Sequence, residues 1–238
     1  MFHVATEWNP KQQMLREALS KECNFKEAIW LCLELHGIVH NSLVSGDMLY
    51  SFYNEIWEGL SRDIFCSTLP QKNGFGRKAT IAWNIWHITR IEDITANILI
   101  ADESQVLNED WLNRLSVEVK DTGNAMNDND IINFSQSLDM EALWGYRNAV
   151  GLRTREILVG LMPLDLKRKF KKDSLTRILN EGGVVNDEKS IWLLDFWGRK
   201  NVAGILLMPI TRHQIVHLNE CMRIKNKLSH KPARRNEE

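Results

Sequence analysis

The chain has 238 residues, of which 44% are hydrophobic and 26% charged, and its formal net charge at pH 7 is −1. This apolar content suffices for a sizeable core, and with a nearly balanced charge no basic face for nucleic acid stands out. Segment 1–12 lacks the apolar stretch of a signal peptide, and no apolar run is long enough to span a membrane. The four cysteines are scattered without a CxxC motif, which indicates reduced thiols. We therefore expect a cytoplasmic protein.

Helical periodicity dominates the first half of the chain. In chain order we predict helices over 11–22, 24–41 and 48–60, a polar glycine-containing loop over 70–76, and a long helix over 77–101. Asn24, with Glu27 three residues on, is typical of a helix N-cap. The long helix is apolar on two faces, which favours a position in the middle of a helical bundle.

The second half contains weaker segments and one more strong one. We predict a short helix over 106–115, a polar loop over 121–130, a helix over 140–161 that Pro163 stops, a basic patch over 166–172 before a short helix, an aromatic helix over 191–197, and a last long helix over 201–228 kinked at Pro209. The charged tail 231–238 is expected to be disordered. With no repeat and no long linker, the chain is predicted to be one all-helical domain over 1–230.

Two pairs of histidines are spaced four residues apart, His36 with His40 and His213 with His217. Both pairs and His87 lie on apolar faces of predicted helices. A single imidazole on such a face is usually a core residue with one hydrogen bond, but several of them can be satisfied together by one metal ion. Between the members of the second pair, Gln214 occupies the place of the catalytic glutamate of a zinc protease, and glutamine cannot act as a base.

The segment Trp-Asn-Ile-Trp-His-Ile at 83–88, the late HxxxH helix with its lead-in at 204–211, and the helical layout between them resemble the DinB superfamily. This resemblance implies an up-down-down-up-type four-helix bundle with extra short helices. It also implies that His87, His213 and His217 bind a divalent metal ion. The chain departs from a minimal member through extra material around 102–133 and 165–189, and through His36 and His40 on the first bundle helix.

The superfamily includes enzymes that use low-molecular-weight thiols, so the resemblance implies a metal-dependent S-transferase with a thiol cosubstrate, or a hydrolase, acting on a small molecule. Imidazole ligands suit zinc or nickel, and also iron or copper. Glu220, one turn beyond His217, is a candidate catalytic base or orienting group, and a solvent-facing or helix-pairing carboxylate is the alternative. Cys221 is predicted to be a packed thiol.

His40 has three interpretations: a fourth ligand that would close the site, a packed and hydrogen-bonded residue, or a residue at the site's mouth with His36 and Trp83 in a substrate pocket. Arg90, Glu92 and Asp93 are predicted to point away from the face of His87, as surface or inter-helix ion pairs.

The alternative function is a non-enzymatic helical module that binds a small apolar ligand or a protein partner, a reading motivated by nine tryptophans and the lack of a clear base. No nucleic-acid or membrane partner is expected. A homodimer that pairs through a helix face is compatible with such a bundle.

Overall fold

The computed structural model describes residues 4–46, 50–70 and 78–229, and in these ranges the chain is helical apart from turns, loops and one isolated antiparallel bridge between Lys169 and Asn201. This confirms the all-α class. The α-helices are α1 (Asn9–Leu19), α2 (Phe25–Val39), α3 (Ser42–Ser45), α4 (Phe52–Trp57), α5 (Arg62–Cys66), α6 (Ile81–Asp93), α7 (Glu109–Leu115), α8 (Asp128–Ser137), α9 (Met140–Gly160), α10 (Lys172–Asn180), α11 (Glu188–Gly198), α12 (Val202–Leu207) and α13 (His213–Ser229).

Shorter 3-10 turns cover Glu22–Asn24 and Pro163–Lys167, and π-helical segments cover Val4–Trp8, Ile94–Ala101 and Met208–Arg212. Most of the predicted loop 70–76, the predicted helix starts at 48 and 77, and the tail 231–238 lie outside the described residues.

Side-chain caps set where the helices begin. Helix α6 starts after Thr80, whose hydroxyl accepts a hydrogen bond from the backbone N–H of Trp83 at 2.9 Å. Asp139 caps α9 in the same way through Ala142. Asn24 occupies the N-cap position of α2 as predicted, but it also closes the preceding 3-10 turn and its side chain accepts no capping bond, so the predicted capping box does not form.

The last predicted helix is interrupted at the expected place. Asn201 caps α12, and a π-helical stretch with Pro209 near its start then leads into α13. Proline has no backbone N–H to donate, which is consistent with a break in the regular α-helical ladder here. The interruption places His213 as the first residue of α13.

Helix α6 lies at the centre of the structure. All of its residues from Ile81 to Asp93 are buried, and it packs against α9 and α13. Helix α2 packs against the same two helices. The prediction of a helix apolar on two faces is confirmed, and one histidine of the candidate metal centre described below, His87, is held on this fully buried helix.

Arg90 and Asp93 are buried inter-helix residues, so the surface alternative for them was wrong. Arg90 donates hydrogen bonds to Asp93 and to the Tyr146 hydroxyl on α9, each at 2.8 Å. Asp93 also accepts the backbone N–H groups of Val106 and Leu107 at 2.8 and 3.0 Å. A buried charge needs such compensation, and these bonds fasten the segment after the π-helix to α6.

None of the helices in the described ranges has the length and apolar character needed to cross a membrane.

Candidate metal centre

Three imidazoles from two packed helices converge at one point. His87 comes from α6, and His213 and His217 come from the first turns of α13; one ring nitrogen of each lies within 4.8 Å of those of the other two. The ring centroids are 5.1 Å apart for His87 and His213, 4.7 Å for His87 and His217, and 4.6 Å for His213 and His217. The spacing of four residues puts the α13 pair on one face, as the sequence indicates.

Hydrogen bonds fix the orientation of two of these rings. His87 donates from Nδ1 to the Thr122 carbonyl at 2.7 Å, and His217 donates from Nδ1 to the Asn84 carboxamide oxygen at 2.6 Å. The Asn84 amide nitrogen donates to the Thr80 carbonyl at 2.7 Å, which identifies its oxygen as the acceptor for His217. With the proton on Nδ1, a neutral ring has its lone pair on Nε2, the arrangement that metal-bound histidines commonly have.

The third ring, His213, is held in its neutral form. Burial, together with the nearby His87, holds the pKa of His213 well below its usual range. Its Nδ1 is buried and has no hydrogen-bond partner among the described residues. A neutral imidazole is the form that binds a metal ion, and a buried polar atom without a partner is costly. The donor set therefore fits one divalent ion.

A loop behind the site is tied to α6 by four side chains on one face of the helix. Arg90, Trp86, His87 and Trp83 donate to the backbone carbonyls of residues 120, 121, 122 and 123 at 2.9, 3.0, 2.7 and 3.1 Å respectively. Residues three and four apart on a helix share a face, so the four donors line up along the extended loop. The position of the Thr122 carbonyl, and with it the orientation of His87, depends on this whole row.

Gly123 makes the close approach of this loop possible. Its φ is +73°, a left-handed conformation that favours glycine, and a Cβ there would lie 2.7 Å from Trp83 Nε1. Trp83 itself stacks on His87, with centroids 4.7 Å apart and an interplanar angle of 10°. Trp83 was predicted to line a substrate pocket; the structure places it behind His87 as a packing platform.

His36 and His40 lie in a second cluster, away from the three imidazoles. Their Nε2 atoms are 2.9 and 2.8 Å from the two carboxylate oxygens of Glu92, their rings stack with centroids 4.1 Å apart, and all three side chains are fully buried. The packed and hydrogen-bonded interpretation of His40 therefore describes its surroundings. The structure does not bring His36 and His40 into the cavity beside His87, and Glu92, like Arg90, is a buried inter-helix residue.

Electrostatics favour a neutral, hydrogen-bonded state for His40. Burial lowers its pKa to about 3. Burial by itself would raise the pKa of Glu92, but the bonds from the two imidazoles hold it well below its usual range. Two histidines and a glutamate within 4.8 Å are also a set of metal-ligand types. Here, however, the nearby Arg147 guanidinium balances the carboxylate charge and disfavours a further cation.

Gln214, which lies between the two histidines of α13, faces the core. Its amide nitrogen donates to the carbonyls of Ile88 and Pro209 at 3.1 and 3.0 Å, and its oxygen accepts from Arg147 at 3.0 Å. Gln214 therefore joins α13 to α6 and α9. This role explains why an amide, with both a donor and an acceptor, occupies the position that a zinc protease gives to its base.

Glu220 and Cys221 follow the site on α13. Glu220 forms two hydrogen bonds with Arg223, at 2.7 and 2.5 Å, and its side chain is 34% exposed. The group that orients His217 is Asn84. Burial raises the pKa of the Cys221 thiol, as expected for the packed thiol that the sequence predicts. All four cysteines are free.

An apolar cavity of about 260 Å³ adjoins His87 and His213. Its walls come from α11 and from the π-helical segment that precedes α13. A larger open groove of about 700 Å³ lies between segment 116–121 and α8, and none of the histidines that the structure describes lines it. The smaller cavity is therefore the one connected to the candidate metal centre.

Neither a family model nor a curated protein matches this chain.

Several functional residues were missed by sequence reasoning. Asn84 drew attention only as part of the tryptophan-rich motif, although its place three residues before His87 puts the two on one face of the helix. Thr122 acts through its backbone carbonyl, for which the sequence carries no signal. The sequence predicted only an aromatic helix for the α11 residues that line the cavity, because no local pattern shows which side chains contact the histidines.

Proposed function

We propose that His87, His213 and His217 bind one divalent metal ion, zinc or nickel first and iron next, in a metal-dependent enzyme. The reaction class we propose is S-transfer with a low-molecular-weight thiol as cosubstrate, or hydrolysis, on a small-molecule substrate. The observation that carries the proposal is the geometry of the three rings: they converge on one point, two are oriented by Nδ1–H bonds, and the buried Nδ1 of the third has no partner among the described residues. A divalent ion with three protein ligands supplies a Lewis-acidic open position when bound.

The chain's own residues support such a centre. Asn84 and the Thr122 carbonyl orient two ligand rings, and second-layer bonds of this kind raise ligand basicity and metal affinity. Trp83 packs flat against His87 and shields that face from water. The apolar cavity on the other side gives a substrate access to His87 and His213.

The arrangement of the long helices supports a DinB-like four-helix bundle. Helix α6 packs against α9 and α13, and α2 packs against the same two, which gives the cyclic contact pattern of four helices around one core. The remaining short helices would be the additions to that bundle. The single domain over 1–230, cytoplasmic residence and a homodimer stay predictions.

The alternative function, a non-enzymatic module that binds a small apolar ligand, is favoured by one observation. Glu220, the candidate base, is engaged by Arg223. In that case the cavity would bind its ligand without turnover.

Metal analysis of the purified protein tests the proposal. We expect about one divalent ion per chain in the wild type and a near-complete loss in His213→Ala/His217→Ala. Val216→Ala, an exposed position on the same helix, is the matched control and should keep its metal. Metal retained by the double variant but lost from His36→Gln/His40→Gln would place the ion in the second cluster and overturn the proposal.

A turnover screen separates the enzyme from the passive module. Monochlorobimane is offered with cysteine, glutathione or bacillithiol, and conjugation is followed by fluorescence with and without a chelator. The S-transferase is supported if conjugation occurs and is abolished both by the chelator and by the His213→Ala/His217→Ala substitution. Full metal occupancy with no conjugation, and no hydrolysis of ester and amide probes, supports the module.

A further inference from the structure

The cavity beside the imidazoles is apolar on nearly all sides. Its walls are formed by Ile91 of α6, four side chains of α11 and the Met208-Pro209 pair of the π-helical segment. The α11 residues are Trp192, Leu193, Phe196 and Trp197. His87 and His213 close the end that faces the candidate metal centre.

Among the residues that the structure describes, no charged side chain lines this cavity. Besides the two imidazoles, its polar lining residue is Asn124, whose carboxamide oxygen accepts a hydrogen bond from the Thr122 hydroxyl at 2.9 Å. Transfer of a charged group into such a space is strongly unfavourable without a partner, whereas an apolar group gains free energy in proportion to the area that it removes from water. The lining therefore selects an uncharged, apolar occupant.

The size of the cavity limits the occupant further. An apolar cavity of about 150 Å³ holds benzene. The volume of about 260 Å³ found here suits one ring with a short substituent, or a branched aliphatic group of similar size.

Two aromatic side chains of α11, Trp192 and Phe196, form part of the cavity wall. Trp192 is 47% exposed, and its indole N–H donates to the Lys189 carbonyl at 2.9 Å, which fixes the ring. Phe196, one turn along α11, meets Trp192 edge to face with centroids 5.9 Å apart. Aromatic walls of this kind favour a flat apolar ligand beyond the gain from area burial, because ring pairs attract one another in offset or edge-to-face geometry.

We infer that this cavity binds the uncharged apolar part of the substrate, an aromatic ring or a branched aliphatic group, while the reacting group lies at the metal centre. The inference rests on the proposed function, because it assigns the substrate class of that same site. It also assigns a role to α11, whose side chains form the wall of the cavity opposite the two imidazoles.

A pair of thiol probes on the cobalt-substituted protein tests the inference. Phenylmethanethiol and 2-mercaptoethanol carry the same head group, but only the first has a ring. Binding of each is followed through the thiolate-to-cobalt absorption band. We expect phenylmethanethiol to bind at least about tenfold more tightly, a difference of about 1.4 kcal/mol.

Two variants and one control locate the effect. Leu193→Phe fills the cavity and should reduce the preference towards unity while 2-mercaptoethanol binds as before. Trp192→Ala removes the exposed wall and should weaken only the ring-bearing probe, by about threefold to tenfold for one aromatic pair. Leu194→Phe, the neighbouring position outside the cavity wall, should keep the wild-type preference. If Leu193→Phe does not fold, Trp192→Ala still tests the inference, since the Trp192 side chain is half exposed and its loss should be tolerated.

A metal-free arm keeps this inference separable from the proposed function. Binding of neutral 4-fluorobenzyl alcohol to the apo protein is measured by fluorine NMR, with 4-fluorobenzoate and 4-fluorobenzylammonium as charged matches. Alcohol binding that Leu193→Phe and Trp192→Ala weaken supports the cavity even if cobalt does not bind, in which case the metal proposal fails alone. The inference is overturned if the cobalt-substituted protein binds both thiols with equal affinity. It is also overturned if the apo protein binds all three fluorinated probes equally.

Discussion

Substitution of Gly123 by alanine is expected to damage both stability and metal binding. The new Cβ would lie 2.7 Å from Trp83 Nε1, closer than a carbon can approach that ring, so the loop must move away from α6. An L-residue in the left-handed region costs about 1–2 kcal/mol, and overpacking a tight contact costs about 1–3 kcal/mol more. We therefore expect the free energy of unfolding to fall by about 2–5 kcal/mol in total.

Gly182→Ala is the matched control for this change. Gly182 has a φ of +75°, nearly the same as Gly123, but a Cβ there would meet only the Lys120 Cβ, at 3.8 Å. The control should therefore show the conformational cost of about 1–2 kcal/mol and no overpacking cost. Urea unfolding followed by tryptophan fluorescence measures both variants, and their difference isolates the contact with Trp83.

The same displacement should reach the metal centre through His87. Movement of the loop carries the Thr122 carbonyl away from His87 Nδ1, and loss of such an orienting bond costs about 10- to 100-fold in metal affinity. A competition titration with a chromophoric chelator, in the range where both proteins remain folded, measures this affinity. If Gly123→Ala and Gly182→Ala lose stability equally and bind metal equally, the proposed role of the loop is refuted.

Three further outcomes follow from the contacts. Asn84→Ala removes the acceptor that orients His217, so metal affinity should fall about 10- to 100-fold in the same titration; unchanged affinity would contradict that role. Gly151→Ala places a Cβ 2.5 Å from His40 Nδ1 and should lower stability by about 1–3 kcal/mol, whereas Gly160→Ala on the same helix meets no atom within 4 Å and should not. Because burial lowers the pKa of His40 to about 3, folding favours its neutral form. The contribution of His40 to the free energy of unfolding should therefore be fully present above pH about 6.5. It should be lost as the pH falls towards 3, by at most about 1.4 kcal/mol per pH unit. His40→Gln should flatten this slope in urea unfolding at several pH values, and equal slopes would refute the assignment.

The sequence predicted the helices well where the periodicity was long and strong. Helices α2, α6 and α9 and the broken helix ending in α13 were all expected near their observed positions, because an apolar stripe that repeats every three to four residues is a property of the local chain. The short helices α5 and α12 were not predicted as separate elements, since five or six residues carry too little periodicity. Helix α2 begins after Asn24 as predicted, but the capping bond is absent, since Asn24 also ends the preceding 3-10 turn.

The charged residues of α6 show the limit of local reasoning. Glu92 and Asp93 were read as surface or inter-helix groups, and both are fully buried. Their partners are remote in the chain: His36 and His40 for Glu92, and Tyr146 for Asp93. A charged side chain can be buried only when distant groups compensate it, and the sequence does not show which groups those are.

The sequence by itself determined that the chain is helical and that two histidines four residues apart share one face of its last helix. The convergence of His87 on that pair was a prediction from a resemblance, and the structure brings the three rings together. Only the tertiary structure decided that His36 and His40 belong to a separate buried cluster, that Asn84 and the Thr122 carbonyl orient the ligand rings, and that α11 closes an apolar cavity over them. The physical reason is one of range: helix periodicity acts over a few residues, whereas the bond from His217 to Asn84 joins positions 133 residues apart.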